Sequence, residues 1–485
     1  MPETNPAIEP PLLPGRARLV DLAATALVAG ALWIAIVGGA RYLVRGVVIP
    51  FNSPLVLVYI AVSILIVRHV LWPRPSAWTR VKAAYAAVLA REDMAAALRA
   101  FIATRPAVFL VGFFAVVTIG LSSKAGFVLS PSPLANLPAR FDAGWYGDIA
   151  RGGYGWDHTF ERQRNIAFFP AMPMLMRPVG TLFGMRDSTA TRERRMLRAL
   201  WAGVVISLGA FLWGLHYFVR FGRDLIGAER AGNAALLLAA YPFAVFFNAP
   251  YTESLFLLAA VGACYHFRRG EWAASSCWGL IAGLTRPNGC FVSVPLGILA
   301  LQEIYSRIKA GQAWDRAAYR TAGLRLLTAA MPGFGMLAFT AYLYGLTGVW
   351  FAWARSHQAW GRSFHGIAPF VTAYGWLRDE PLLEVVANIP FNSLNALGVL
   401  FGLALTYTVF RRLGLAWGVF VLVNLVPPLF AGGVLSMGRV SSTLFPLFLA
   451  LAILVPTRAV PAWVAGFGIG QGLCAALFFT WRELF

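Results

Sequence analysis

The chain has 485 residues, of which 59% are hydrophobic and 13% charged, and 41 basic against 21 acidic residues give a formal net charge of +20. A soluble domain carries about 25% charged residues, so this composition excludes a soluble globular protein. A basic soluble protein would suggest nucleic-acid binding, but in membrane proteins Lys and Arg accumulate in cytoplasmic loops. We therefore expect a membrane protein with no nucleic-acid partner.

Crossing the hydrocarbon core as a helix takes about 20 apolar residues. Apolar runs near this length, some of them shorter, recur along the chain at 19–40, 54–72, 106–123, 199–218, 231–249, 252–267, 273–285, 289–303, 326–346, 394–410, 414–431, 442–456 and 459–479. The runs are continuous rather than alternating, which disfavours a β-barrel. We predict an all-α polytopic membrane protein with about 11–13 transmembrane helices.

The charge of the loops predicts the orientation. Residues 73–105 carry six basic residues, among them Arg74 and Arg105, against two acids, and the positive-inside rule places this loop in the cytoplasm. Alternation then places the long polar segments 124–198 and 347–393 on the outer face. Segments of such length usually carry function.

The N-terminal part of the chain is predicted to be an addition to a core. Residues 78–103 have the pattern of a basic amphipathic helix lying on the inner surface. With the first two spans this helix forms the predicted addition, 1–105, and the core covers 106–485. The basic residues are nearly all Arg, and Ala and Gly are abundant. This composition is typical of a GC-rich bacterial genome and favours a bacterial inner membrane.

The segment ARFDAGWYGDIARGGYGWDHTFERQRNIAFFPAMPML, residues 139–175, crowds acids, aromatics and glycines beside a predicted span. If 141–151 is helical, Asp142 shares a face with Trp145 and Tyr146. Asp148 then lies about 120° round the helix from Asp142, too far for a paired acid/base site. Asp142 would lie at the membrane boundary, within reach of a lipid-borne substrate. The alternative is an interfacial helix with ordinary solvated acids.

Further ionisable residues interrupt apolar runs. Glu253 lies in a tight turn, Arg286 and Asn288 flank a proline in TRPNG, and Arg439 begins a late span. Ionisable groups at membrane depth are costly and usually functional, although each alone could be a snorkelling or capping residue. The predicted topology places them on the same face as Asp142, where the cations could hold a phosphate.

Six blocks in chain order resemble one family: RFDAGWYGDIARGGY, NIAFFPAMPMLMRPVG, YPFAVFFNAPYTESLF, GLIAGLTRPNG, AWARSHQAWGR and SMGRVSSTLFP. They resemble the PIG-V-like mannosyltransferases, relatives of GPI mannosyltransferase II, within the GT-C class of membrane glycosyltransferases. The resemblance covers about 106–450 and leaves the first two spans outside. Family members show Arg-Trp-Asp where this chain has Arg140-Phe141-Asp142, so the ring and the acid are kept.

The resemblance implies transfer of a sugar, usually mannose, from a polyprenyl- or dolichyl-phosphate donor on the extracytoplasmic face, with inversion. The acceptor would be a glycan, a glycolipid or a protein. Asp142 matches the proposed general base, Glu253 would orient hydroxyl groups, and Arg286 or Arg439 would stabilise the leaving phosphate. His357, Gln358 and Trp360 would line the acceptor side. The further substrate-binding candidates are Arg140, Trp145, Tyr146, Asp148 and Asn288.

No cofactor and no metal is expected. The sequence has no DxD motif and no cluster of His and Asp ligands, and it has neither a Walker A motif nor a GxGxxG motif that follows a predicted strand. The donor would therefore be lipid-linked rather than a nucleotide sugar.

Two other classes of protein stay open. A transporter or lipid flippase also needs about a dozen helices with buried charges, but it commonly shows two related halves and places its charges at mid-membrane. No internal repeat is visible here. A structural subunit would not need Asp142, Glu253, Arg286 and Arg439 on one side.

Overall fold

A computed structural model of the protein describes residues 15–44, 47–73 and 76–484. Residues 1–14 of the predicted N-terminal addition and Arg74 of the predicted cytoplasmic loop lie outside these ranges. The described part is helical except for one β-hairpin near its start. The prediction of an all-α membrane protein is thus confirmed, with that hairpin as the one departure.

In the N-terminal region, two helices on either side of the β-hairpin pack against each other. It consists of α1 Gly15–Val37, β1 Ala40–Val44, β2 Val47–Phe51, α2 Pro54–Leu71, α3 Ala77–Leu89 and α4 Glu92–Thr118. The strands β1 and β2 pair antiparallel. Arg68 of α2 is 1% exposed and reaches Asp21 of α1 at 3.0 Å, so a partly buried ion pair joins the two helices.

The rest of the chain is a bundle of long helices joined by shorter ones. In order these are α5 Ala143–Gly152, α6 Ala171–Leu182, α7 Arg192–Ile226, α8 Ala228–Ala240, α9 Glu253–Arg268, α10 Trp272–Gly283, α11 Ser293–Lys309, α12 Arg316–Thr347, α13 Ala352–Ser356, α14 Ala368–Asp379, α15 Leu382–Asn388, α16 Pro390–Thr408, α17 Leu415–Gly432, α18 Met437–Thr443, α19 Phe445–Leu454 and α20 Val460–Phe479. Short 3-10 helices cover Asn165–Ala167, Pro242–Asn248, Pro287–Val292, His357–Trp360 and Thr457–Ala459, and a π-helix covers Val409–Leu413.

Nine helices in the described ranges are long and apolar enough to cross a membrane, and the number rises to eleven if each of two bent pairs is one span. The predicted number is therefore met only at its lower end. The predicted spans 252–267 and 273–285 form α9 and α10, which have 16 and 12 residues. Both fall short of the roughly 20 residues that a crossing needs.

The predicted amphipathic helix over 78–103 is wrong as one element. The chain breaks between α3 and α4, and α4 runs on past Pro106 to Thr118. Glu92 and Asp93 occupy the first turn of α4, where negative charge favours a helix N-terminus. Helix α4 crosses residue 105 without a break. The domain boundary predicted at that position stays a prediction.

Arg105, expected in a cytoplasmic loop, is instead 2% exposed inside the bundle. The chain bends by 80° between α8 and the 3-10 helix Pro242–Asn248, and this bend leaves backbone carbonyls without helical partners. Arg105 donates to the carbonyl of Ala239 at 2.5 Å and to that of Ala244 at 2.6 Å. Irregular backbone in the apolar core needs such partners, so Arg105 stabilises the bend.

Gln471 of α20 supports the same bend from the other side. Its amide Nε2 donates to the carbonyls of Ala239 and Tyr241 at 2.9 and 3.0 Å. The bend turns the following residues back into the core, and α9 then starts at Glu253. The position of Glu253 therefore depends on these two polar side chains.

We expect Arg105→Met to lower the free energy of unfolding by about 3 kcal/mol, because each buried carbonyl left without a donor costs about 1–3 kcal/mol. Thermal unfolding of the purified protein in detergent measures the change. Arg99→Met, an exposed position on the same helix, is the control. Equal unfolding temperatures for the two variants would show that the bend does not need Arg105.

Candidate active site

Asp142 is held in place by the backbone turn that precedes α5. Phe141 has φ 43°, a left-handed conformation that costs a residue with a Cβ roughly 1 kcal/mol or more. The fully buried Tyr251 hydroxyl accepts from the backbone N–H of Asp142 at 3.1 Å and donates to the carbonyl of Arg140 at 3.0 Å. One side chain thus bridges the turn and fixes where α5 begins.

Four of the predicted residues converge on one another. Arg439 Nη1 lies 2.8 Å from Asp142 Oδ2, and Arg439 Nε lies 2.8 Å from Glu253 Oε1. Arg286 Nη2 lies 3.7 Å from the same oxygen of Glu253. Asp142, Glu253, Arg286 and Arg439 are called the charge cluster below. Residues predicted only to share a face therefore form one connected group.

The two arginines of the charge cluster enter it from breaks between helices. Pro287 restricts the residue before it to an extended backbone, and Arg286 has φ −165° and ψ 161°. Arg439 belongs to the seven-residue α18, which follows Ser436 at φ 62°. These breaks explain why charged residues interrupt apolar runs of the sequence: the interruption places a guanidinium between helices.

The two carboxylates of the charge cluster differ in how far they are buried. The Glu253 side chain is 0% exposed, and that of Asp142 is 20% exposed. Arg439 also lies over the ring of Tyr251, 4.8 Å from its centroid, and Arg286 over that of Phe256 at 5.5 Å, so aromatic faces add to the stabilisation of both cations. Asp142 is therefore the carboxylate that a substrate can reach, and Glu253 holds the two guanidinium groups.

The rings of Trp145, Phe168 and Trp360 contact one another and are called the aromatic wall; Trp145 lies one helical turn after Asp142. The ring centroids of Trp145 and Phe168 are 5.7 Å apart, those of Trp145 and Trp360 are 6.0 Å apart, and those of Phe168 and Trp360 are 5.7 Å apart. Tyr146 is buried behind the wall, and its ring lies 5.3 Å from that of Phe168. Burial, together with the negative charges of Glu253 and Asp142, raises the pKa of Tyr146, so its hydroxyl stays neutral.

Two predicted residues lie apart from the charge cluster. Asp148 is 46% exposed and pairs with Arg151 at 3.4 Å. Arg140 is fully buried and donates to the backbone carbonyls of Phe479 and Asn136 at 2.6 and 2.7 Å. Arg140 therefore joins the turn before α5 to α20. Asp148 is solvated and lies apart from Asp142, and its predicted part in substrate binding stays a prediction.

The other predicted residues differ in their surroundings. Asn288 donates to Asn424 Oδ1 at 2.7 Å, and Gln358 is exposed. His357 lies 6.1 Å from Trp360 between ring centroids, and its Nε2 has no partner among the described residues. Burial first, and then the positive charge of Arg362, lowers the pKa of His357 to about 4. His357 is therefore neutral near pH 7.

Tyr251 and Arg362 are site residues that the sequence analysis missed. Tyr251 directly precedes the Thr-Glu of the YTE motif, and Arg362 ends the block AWARSHQAWGR. Arg362 Nη2 donates to the carbonyl of Leu435 at 3.5 Å. Burial first, and then repulsion from Arg439, lowers the pKa of Arg362 to about 10. Both residues belong to the motif blocks, and this membership is the one feature of the sequence that could have identified them as site residues.

Metal ligands are not gathered at the site. Over residues 15–44, 47–73 and 76–484, no group of three or more His, Cys, Asp or Glu side chains is arranged to hold a metal ion.

The comparison with protein families assigns the class of protein. The family model described as mannosyltransferase (PIG-V) matches residues 126–357, just under half of the chain. The matched residues include Asp142, Glu253 and Arg286, and Arg439 lies beyond them. The prediction of a membrane glycosyltransferase is thereby confirmed. The matched segment is similar to the PIG-V mannosyltransferases, the same family that the sequence motifs resemble.

Comparison with curated proteins gives no match. Among solved structures, the chain is similar to the oligosaccharyltransferase of Archaeoglobus fulgidus in complex with zinc and sulfate, with 12% identity and a TM-score of 0.38, over 78% of this chain and 53% of that one. It is also similar to ArnT from Cupriavidus metallidurans bound to undecaprenyl phosphate, with 15% identity and a TM-score of 0.39, over 79% and 76% of the two chains.

A third similar structure is the archaeal oligosaccharyltransferase AglB from Archaeoglobus fulgidus, in complex with an inhibitory peptide and a dolichol-phosphate. The identity is 11% and the TM-score 0.40, over 80% of this chain and 56% of that one. The chain thus spans about half the length of the two oligosaccharyltransferase chains.

We expect Glu253→Gln to destabilise the fold. The substitution keeps the shape of the side chain but removes the negative charge between two guanidinium groups, and breaking a buried pair costs about 3–5 kcal/mol. Thermal unfolding of the purified protein gives the loss, with Glu229→Gln at the exposed start of α8 as control. A Glu253→Gln protein as stable as that control would mean that Glu253 does not hold the charge cluster together.

Proposed function

We propose that the protein transfers a sugar, with mannose the favoured one, from a polyprenyl-phosphate donor to an acceptor hydroxyl, with inversion at the anomeric carbon. The observation that carries this proposal is the charge cluster. It combines one partly exposed carboxylate, Asp142, with two arginines, and it lies largely within the segment that matches the mannosyltransferase family.

The chemistry assigns Asp142 as the general base. Its carboxylate takes the proton of the acceptor hydroxyl while the oxygen of that hydroxyl attacks the anomeric carbon. The bond from the anomeric carbon to the phosphate oxygen breaks on the opposite face, and the polyprenyl phosphate leaves with the electron pair. Arg439 donates to Oδ2 of Asp142, and the Asp142 side chain is 20% exposed, so an acceptor hydroxyl can reach the carboxylate.

The arginines of the charge cluster stabilise the charge that develops on the leaving phosphate. Fixed cations in a water-poor site stabilise such charge without reorganising, and arginine matches phosphate oxygens with two parallel hydrogen bonds. Arg286 Nη1 is buried and has no partner among the described residues. A phosphate oxygen would provide that partner.

The aromatic wall provides a surface for the sugar or for the acceptor. Trp145 and Trp360 present apolar faces, and aromatic rings suit ligands that are apolar on one side and polar on the other. The acceptor is a glycan, a glycolipid or a protein hydroxyl. His357, neutral and without a partner on Nε2, would hydrogen bond to it.

The active site is proposed to face the extracytoplasmic side of a bacterial inner membrane. Helix α5 packs on the first half of α7, where a Cβ on Gly147 would meet Met196 and Leu200. The basic residues Arg220 and Arg223 lie near the other end of this 35-residue helix, about 35 Å from Met196 and Leu200 along its axis. The positive-inside rule favours a cytoplasmic position for that end of α7 and an outer position for the charge cluster.

We expect Asp142→Asn to fold and to lose transfer, by about 100-fold or more, because the amide cannot accept the proton. The measurement is transfer of radiolabelled mannose from polyprenyl-phosphate mannose to a host membrane lipid extract by purified protein. Asp148→Asn, on the same helix but solvated, is the matched control and should keep its activity. Near-normal turnover by Asp142→Asn would remove Asp142 as the base.

We also expect Arg286→Ala to bind the donor about 10-fold more weakly, because a charge-assisted hydrogen bond contributes about 1.5–3 kcal/mol. Binding of polyprenyl-phosphate mannose in detergent measures the affinity. Arg325→Ala is the control, since Arg325 also pairs with a glutamate, Glu303 at 3.1 Å, away from the charge cluster. An unchanged affinity in Arg286→Ala would exclude Arg286 from the phosphate site.

A further inference from the structure

We propose that Arg362 binds the phosphate of the lipid-linked donor and receives the second negative charge that this phosphate gains when the sugar leaves. This inference rests on the proposed function and assigns one residue to it.

The segment that carries Arg362 is fixed against the end of α17. His365 N donates to the carbonyl of Phe430 at 2.9 Å, and a Cβ on Gly432 would lie 3.6 Å from Cγ of Arg362. The guanidinium reaches the carbonyl of Leu435, four residues before Arg439. Arg362 thus extends from the segment between α13 and α14 toward the charge cluster and is held at its edge.

The charge balance distinguishes Arg362 from the other two arginines. Arg439 pairs with Asp142 and Glu253, and Arg286 pairs with Glu253. Arg362 has no carboxylate within 4.0 Å in the part of the chain that the structure describes. Three guanidinium groups therefore share two carboxylates, and Arg362 is the one that no carboxylate contacts directly, since Asp142 attracts it only from a longer distance. The lowered pKa of Arg362, to about 10, still leaves it a cation near pH 7.

The reaction creates a need for such a charge. In the donor the phosphate is a diester with one negative charge. Cleavage of the bond to the anomeric carbon turns it into a monoester, which carries about −1.5 to −2 at pH 7. The acceptor proton goes to Asp142, which becomes neutral as the phosphate gains its charge, so negative charge moves from Asp142 to the phosphate. Arg439 loses one of its two carboxylate partners in this step, and Arg362, which has no carboxylate within 4.0 Å among the described residues, is the further cation available to the phosphate.

The residues after Arg362 present apolar side chains that suit the polyprenyl chain of the same donor. Phe364 is 82% exposed and Ile367 67% exposed, and Val371 and Tyr374 of α14 are exposed as well. These side chains lie outside the membrane-spanning helices. An amphiphile with a charged head and an apolar chain matches a segment that places a cation toward the core and apolar side chains outward.

The test is binding of undecaprenyl phosphate to the purified full chain in lipid nanodiscs. We expect Arg362→Ala to weaken this binding at least about 10-fold and Arg362→Lys to weaken it less, because lysine keeps the charge but not the paired hydrogen bonds. Arg378→Ala is the matched control on the same segment, since Arg378 is exposed and pairs with Asp379 at 2.8 Å, and it should bind like the native protein.

Two competitors distinguish the sources of the phosphate. Phosphatidylglycerol and inorganic phosphate, each in excess, should not displace undecaprenyl phosphate from the native protein. Displacement by either would make Arg362 a general anion site and overturn the proposal. Native affinity in both Arg362 variants would overturn it and leave the proposed function intact. Failure of the native protein to bind undecaprenyl phosphate at all would overturn the proposed function itself.

Discussion

The guanidinium group of Arg439 joins two carboxylates that the chain brings from far apart, and the site depends on this contact. Asp142 lies 297 residues away in the sequence and Glu253 lies 186 residues away. A buried charge without a partner costs far more than a paired one, so α5, α9 and α18 must meet at Arg439 or leave a carboxylate uncompensated. The same contact that stabilises the packing of these helices also places the proposed base.

The site exists because helices break inside the bundle. The chain bends after α8, is extended at Arg286, and turns at Ser436 before α18. Each break frees backbone groups that lipid cannot satisfy, and buried side chains satisfy them instead. Arg105 and Gln471 donate to the carbonyls at the first bend. Buried polar side chains in this chain therefore have two separate roles. Some donate hydrogen bonds to backbone carbonyls where helices break, and others form the charge cluster.

Because polar residues have these two roles, a motif alone does not show which of its residues belong to the charge cluster. Arg140 and Asp142 are neighbours in one motif, yet Arg140 donates to backbone carbonyls and Asp142 faces Arg439. Sequence position cannot separate them, because the left-handed turn at Phe141 decides which way each side chain points. Arg362 illustrates the reverse case. It ends one of the motif blocks, but its proximity to Arg439 depends on how the segment between α13 and α14 folds against α17.

Composition and hydropathy alone determine that this is a helical membrane protein, because a chain with so few charges needs lipid around it. The motif blocks indicate the family that the chain resembles, and the loop charges predict that Asp142, Glu253, Arg286 and Arg439 share one face of the membrane. Only the tertiary structure decides that these four side chains touch, that Glu253 is buried while Asp142 stays reachable, and that Arg105 lies in the core instead of a loop. The reason is physical: periodicity reports which residues avoid water, whereas contacts between remote charges depend on where helices break and how the broken ends pack.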